Sequence, residues 1–270
     1  MKGIINGFFT CLSLVSRFKV RQTKTPDFTW IGFSLPIIGL LVGGLSFLFF
    51  FFGYRLFLNL WITAVVTLIV QYYLFNLFHF DGLIDSADAF STMGDKEKVL
   101  AILKDVHVGA FGLFAGIMYI VLKVILLQSN LIILVPLTLE KGAYFVFLFT
   151  YPAAGRIAAT LIPLFLRNAR SSGLGVLLKD FRRLKALSGV FIAVLLPLIV
   201  GLIIASGVNT PVFLSLALLS LVSALLTLLF WGRLYERRAG GYTGDTLGAA
   251  VETGELLHLL LFLIILRFLQ

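Results

Sequence analysis

Asp81, Asp85 and Asp88 stand at i, i+4 and i+7 in the run His79-Phe80-Asp81-Gly82-Leu83-Ile84-Asp85-Ser86-Ala87-Asp88. At about 100° per residue they fall within an arc of roughly 60° on a helix. Three like charges on one stripe repel, and each is costly near a bilayer. No Lys or Arg lies between residues 56 and 95 to relieve them. A divalent cation would, and hard carboxylate oxygens suit Mg²⁺ or Mn²⁺ rather than zinc or copper. A solvated acidic helix face is the plainer alternative, but Phe78, Phe80, Leu83, Ile84 and Phe90 make it a poor one.

Two further motifs gather acids. Only 13 Asp and Glu occur in the chain, and seven of them fall in these three motifs. The second is Lys104-Asp105-Val106-His107-Val108-Gly109-Ala110-Phe111-Gly112, where Asp105 offers a fourth carboxylate. Gly109, Gly112 and Gly116 make a small-residue face on which helices can approach closely. The third runs from Gly240 to Glu255 and holds Thr243, Gly244, Asp245, Glu252 and Glu255. Glycine-rich backbone just before a helix can present N–H groups to a phosphate. Capping of that helix by Thr243 or Asp245, with the glutamates satisfied by neighbouring helices, is the structural alternative. Glutamates this deep in an apolar span are usually functional. Arg156 lies inside another apolar run and needs a partner there, either a carboxylate or a phosphate; Lys123 is a weaker case of the same kind. A basic loop, 167–185, includes Arg170 and could hold a nucleotide diphosphate. Carboxylates, a divalent cation and basic residues together point to phosphoryl transfer.

The elements that must position these groups are membrane spans. Of 270 residues, 60% are hydrophobic and only 13% charged, against about 25% charged in a soluble domain. Apolar runs long enough to cross a bilayer fall at about 33–52, 60–78, 109–127, 143–166, 186–205, 211–231 and 247–268. Gln128, Ser129 and Asn130 read as the close of the third, and 131–139 as a short interfacial or re-entrant stretch. The expected fold is an all-α polytopic bundle of about seven spans, one integral-membrane catalytic domain over residues 1–270. No positively charged, apolar and cleavable leader pattern opens the chain. With the amino terminus in the cytoplasm, segments 1–27, 79–108, 167–185 and 232–246 hold 17 of the 22 Lys and Arg, as the positive-inside rule requires. That orientation puts every polar motif on the cytoplasmic face of the cell (inner) membrane. It also explains the net charge of +9 by loop composition, without nucleic acid. One cysteine, Cys11, excludes an internal disulfide or thiolate cluster, and three scattered histidines disfavour a zinc site.

The three motifs resemble the cobalamin synthase (adenosylcobinamide-GDP ribazoletransferase) family over nearly the whole chain. Its His, Asp-Gly-Leu and two later aspartates are matched by His79, Asp81, Gly82, Leu83, Asp85 and Asp88. Its Asp-x-x-x-Gly-x-x-Gly element is matched by Asp105, Gly109 and Gly112, and its Thr-Gly-Asp-x-x-Gly-Ala-x-x-Glu-x-x-Glu element by Thr243 to Glu255. Pro36 and Gly39 look like its early Pro-x-x-Gly. The chain departs from the pattern at Ala89, Val106, His107 and Tyr242. The resemblance implies that adenosylcobinamide-GDP is joined to α-ribazole or its 5′-phosphate, giving adenosylcobalamin or its phosphate and releasing GMP, with Mg²⁺ required. On this reading Asp81, Asp85, Asp88, Asp105 and Asp245 are catalytic, and Asp81, Asp85, Asp88 and Asp105 hold the metal. His79, Arg156, Arg170, Thr243, Gly244, Glu252 and Glu255 contact substrate. The base is Asp105 or Asp245, and a homo-oligomer is left open.

Two other classes compete. A CDP-alcohol-type phosphotransferase also sets aspartates at i, i+3, but its Asp-Gly-x-x-Ala-Arg continuation is missing after Asp88. A cation transporter would place acids near the midplane in both halves of a repeat, and no such repeat is present.

Overall fold

The computed structural model of the chain describes residues 2–18, 20, 25–134, 141–171, 173, 175–176, 182–204 and 210–269. Among these, regular structure is helical apart from one bridge between Asn168 and Tyr242. The helices are α1 (Lys2–Val15), α2 (Ile31–Phe57), α3 (Leu60–Gln71), α4 (Leu77–Ser91), α5 (Lys96–Ile102), α6 (Ala110–Leu134), α7 (Lys141–Phe165), α8 (Arg183–Ile204), α9 (Thr210–Arg238) and α10 (Gly244–Leu269). Seven segments are long and apolar enough to cross a bilayer: Phe28–Phe57, Leu60–Ser91, Ala110–Leu134, Val146–Phe165, Arg183–Gly201, Leu218–Arg238 and Gly244–Phe268. The protein is thus an all-α polytopic bundle with the seven spans that the composition calls for.

The spans end where local chemistry ends them. Leu58 takes a left-handed conformation to close α2, and the Asn59 side chain caps α3 by accepting from the N–H groups of Trp61 and Ile62 at 2.9 and 3.1 Å. Asp95 caps α5 through the Lys98 N–H at 2.9 Å. Inside the bundle α7 is the hub, packed against α2, α8, α9 and α10. Its neighbours come close because small residues face them: a Cβ on Gly39 of α2 would lie 2.6 Å from the Ala153 Cα, and one on Gly155 would lie 2.0 Å from the Val251 carbonyl of α10. Lipid supplies no hydrophobic drive between helices, so such contact is what holds them. Aromatic rings fill the wider gaps, with Phe147 and Phe262 4.6 Å apart between centroids.

Two of the span boundaries that differ from the sequence expectation bear on the polar motifs. The second span does not stop at Phe78. A π-helical turn, Tyr72–Asn76, joins α3 to α4, and the helix runs on through the aspartate motif to Ser91. The third span does not close at Gln128. Its helix continues to Leu134 with Gln128 and Asn130 buried, and the Asn130 amide donates to the Leu259 carbonyl of α10 at 3.0 Å. Polarity there marks a contact between helices, not an exit to water. Leu131–Leu134 therefore belong to the span; the rest of the stretch expected to be re-entrant lies outside the described residues, as does part of the 167–185 loop.

Candidate active site

The three aspartates of α4 reach the same end of the bundle as the start of α10. The helices meet at Gly82, where a Cβ would lie 2.4 Å from the Asp245 carbonyl oxygen, so any larger residue would push them apart. Asp85 consequently sits within electrostatic range of Asp81, Asp88, Asp245 and Arg170. Asp81 is exposed, while Asp85, Asp88 and Asp245 are partly buried.

Each of these acids has a distinct local setting. Asp88 accepts from the N–H of Gly109 at 2.8 Å through one oxygen and from the N–H of Gly112 at 2.8 Å through the other. It therefore caps α6 from a neighbouring helix, satisfying two of the four N–H groups that a helix start leaves open. Asp245 opens α10, where a carboxylate is favoured by the helix dipole, and pairs with Arg170 at 3.1 Å. Thr243 caps that helix: its hydroxyl accepts from the Thr246 N–H at 3.3 Å, and the Thr246 hydroxyl accepts from the Thr243 N–H at 2.7 Å. This is a capping box with threonine in the acid's place.

Arg170 arrives from the loop after α7. That loop is tied to the α9–α10 turn by the Ala169 N–H on the Tyr242 carbonyl (2.8 Å) and the Tyr242 N–H on the Arg167 carbonyl (3.0 Å). The tie demands glycine at 241: its φ is +149°, and a Cβ would lie 2.1 Å from the Arg167 carbonyl oxygen. A second Arg170 nitrogen donates to the Leu100 carbonyl at 3.2 Å. Arg170, Asn168, Thr243, Gly244 and Asp245 line a polar cavity. Among the described residues, Arg170 Nε and Asn168 Nδ2 are buried without a hydrogen-bond partner.

Asp105 stands apart. It is exposed in the turn between α5 and α6, and it accepts from the His107 N–H at 3.1 Å and contacts His107 Nδ1 at 2.6 Å. These hydrogen bonds hold its carboxyl below the usual range. Among the described residues it shares no hydrogen bond with Asp81, Asp85, Asp88 or Asp245.

Glu252, Glu255 and Arg156, expected at the substrate, lie together in the interior and satisfy one another. Lys123 Nζ is 2.6 Å from Glu255 and 3.2 Å from Glu252, and Arg156 is 2.7 Å from Glu255; all four side chains are wholly buried. Two cations face two anions, so the cluster is neutral. The Tyr72 hydroxyl and the Asn76 amide donate to Glu252 at 2.6 and 2.8 Å, and the Gln71 amide donates to Glu255 at 3.1 Å. Arg156 also donates to the side-chain oxygen of Asn76, Oδ1, at 2.9 Å. Gln71, Tyr72 and Asn76 escaped the sequence reading. The signal for them was two amides, five apart, inside an apolar run beside the aspartate motif. The π turn presents Tyr72 and Asn76 to one partner, a use of irregular helix common at functional sites.

Does the acid cluster suit Mg²⁺? The donor chemistry does, since Asp81, Asp85 and Asp245 are hard oxygens near one cationic arginine. Among the described residues no three His, Cys, Asp or Glu side chains already converge as a cage, and Asp88 has both oxygens engaged. Mg²⁺ typically takes one or two carboxylates and completes its shell with water and substrate phosphate, so Asp81 and Asp85 with a diphosphate would suffice.

Comparison with known proteins agrees with the motifs. The family model described as cobalamin-5-phosphate synthase matches residues 7–263, so the chain belongs to that family. Curated relatives named adenosylcobinamide-GDP ribazoletransferase include one from Clostridium botulinum (strain 657 / Type Ba4), 31% identical and covering 97% of this chain and 99% of its own length. Another from Fervidobacterium nodosum is 28% identical (97% and 98%), and one from Thermosipho melanesiensis 33% identical (92% and 94%). No solved structure matches the chain.

Proposed function

We propose that this chain, as a member of the cobalamin-5-phosphate synthase family, joins adenosylcobinamide-GDP to α-ribazole or its 5′-phosphate. The products are adenosylcobalamin, or its 5′-phosphate, and GMP. The observation that carries the reading is the meeting of α4 and α10 at Gly82, which brings Asp245, paired with Arg170 on a polar cavity, within electrostatic range of Asp85.

In the reaction a ribazole hydroxyl oxygen forms a bond to the phosphorus attached to cobinamide. The bond from that phosphorus to the bridging oxygen breaks, and GMP leaves with the bonding electrons. Asp245 takes the hydroxyl proton; it lines the polar cavity, whereas Asp105 lies outside it, held by His107. Arg170 and the Asn168 amide hold the diphosphate oxygens, and positioning of this kind supplies much of the barrier lowering in phosphoryl transfer. Mg²⁺ on Asp81 and Asp85 would neutralise charge on the diphosphate and on the departing phosphate. The positive-inside distribution supports a site facing the cytoplasm from the cell (inner) membrane.

Purified, detergent-solubilised protein given adenosylcobinamide-GDP and α-ribazole tests this. GMP release with a cobalamin product, dependent on Mg²⁺ and lost in Asp81→Asn, is the expected result. Folded protein that releases no GMP overturns the proposal.

A further inference from the structure

A second cavity adjoins the first. It lies among α1, α2, α4, α7 and α10, and it leaves about 90 Å³ for the centres of water-sized molecules. Its wall is almost wholly apolar, with Leu35, Ala159 and Val251 typical of it. Two polar residues, His79 and Thr160, interrupt that lining. His79 Nδ1 and Thr160 Oγ1 are both buried, and among the described residues neither has a hydrogen-bond partner. A buried polar atom without a partner keeps its desolvation penalty, so a pair beside one apolar cavity marks a place where a ligand completes the bonding. Gly175 and Gly244 line both this cavity and the polar one that holds Asp245.

We infer that this apolar cavity is the seat of the ribazole base, with the Thr160 hydroxyl as the group that donates to its ring nitrogen. The inference rests on the transferase reading above and extends it to the acceptor substrate. The chemistry of the candidates selects the occupant. The guanine nucleotide is anionic and rich in polar edges, which suits the polar cavity. The corrin, with its many amide arms, is too large. The base of α-ribazole is a flat, uncharged, methylated benzimidazole whose single free ring nitrogen accepts one hydrogen bond. An apolar slot with an isolated hydroxyl donor, Thr160 Oγ1, matches that inventory, and a lipid chain would offer that hydroxyl nothing. A ribose hanging from a base so placed emerges past Gly244, where its hydroxyl meets Asp245.

Steady-state kinetics on the full chain in detergent tests the assignment through two variants. Ala159→Phe fills the cavity, and Thr160→Val removes the hydroxyl while keeping the shape. Ala159→Phe should raise KM for α-ribazole about tenfold or more, and Thr160→Val roughly two- to tenfold, as loss of one neutral hydrogen bond does. KM for adenosylcobinamide-GDP should hold in both. A third readout needs no variant. Cys11, the one cysteine of the chain, lines the cavity, so α-ribazole should slow its reaction with methylmercury. A wild-type enzyme that makes cobalamin, with unchanged α-ribazole KM in both variants and no protection of Cys11, overturns this assignment alone. Slowing of the Cys11 reaction by added phospholipid, and not by α-ribazole, overturns it in favour of a lipid chain. Wild-type protein that makes no cobalamin overturns the transferase reading itself.

Discussion

Replacing Lys123 with methionine tests whether charge balance holds the bundle together. Met keeps the length and apolar body of the side chain and removes only the charge and its donors. In the native protein Lys123 donates to Glu255, to Glu252 and to the Tyr72 hydroxyl at 2.6, 3.2 and 3.0 Å. Without it, two buried glutamates face Arg156 alone, and the cluster carries a net negative charge with no access to solvent. Removing one partner of a buried ion pair costs about 3–5 kcal/mol. At about 2–4 °C per kcal/mol for a chain of this size, Lys123→Met should unfold on the order of 10 °C below the native protein in the same detergent. Adding Glu252→Gln restores neutrality: the new amide can still accept from Tyr72 through its carbonyl oxygen. The double variant should therefore recover most of the loss and lie above Lys123→Met. Thermal unfolding followed by circular dichroism gives both numbers. A Lys123→Met protein within about 2 °C of native, judged on the same scale, would sink the argument. So would a double variant less stable than both singles.

Three smaller perturbations probe the parts around the acids. Asp88→Ala strips the cap from α6 and should cost about 1–2 kcal/mol of stability, whereas Asp88→Asn keeps one acceptor and should cost less; hydrogen exchange at Gly109 and Gly112 reports which amides open. Gly241→Ala, forced into a left-handed φ and against the Arg167 carbonyl, should cost about 1–3 kcal/mol, and native-like stability would show that the α7–α8 loop and the α9–α10 turn are not tied there. His107→Ala removes the ring contact that helps hold the Asp105 carboxyl low, so its titration should move up toward the ordinary carboxylate range, read by carbon-13 NMR. Because the native carboxyl titrates low, whatever the pair contributes is present above the unfolded value and is lost as pH falls through the native one.

The fold was legible because a bilayer imposes few rules. Seven apolar runs, basic loops on one side and clustered acids are properties of single residues and short spacings. What failed did so where meaning depends on a partner from elsewhere in the chain. Gln128 and Asn130 read as a span's exit, yet the Asn130 amide is bonded to α10. Glu252 and Glu255 stood out because acids are rare in spans, with satisfaction by neighbouring helices as the alternative, and only the packing of α6 and α7 against α10 names Lys123 and Arg156 as their partners. Lys123 and Arg156 each advertised the need for a partner, but nothing in either local sequence names which one. The π turn has no residue signature at all, and so the continuation of α3 into the aspartate helix could not be read.

The two polar clusters are linked by the helices they share. Asp245 and Glu252 stand seven residues apart on α10, two turns or about 10 Å along its axis. Asn76 and Tyr72, which hold Glu252, directly precede the helix that carries Asp81, Asp85 and Asp88. Locking Glu252 to the π turn therefore fixes how α4 and α10 are rotated and how deeply they sit against each other. The close approach at Gly82 fixes the same pair nearer the acids. With two points of contact along the pair, neither helix can turn its carboxylates away without breaking a buried, charge-neutral cluster. That is the physical reason for placing so many ionised groups in the interior: paired with one another, they hold still the two helices that carry Asp81, Asp85, Asp88 and Asp245.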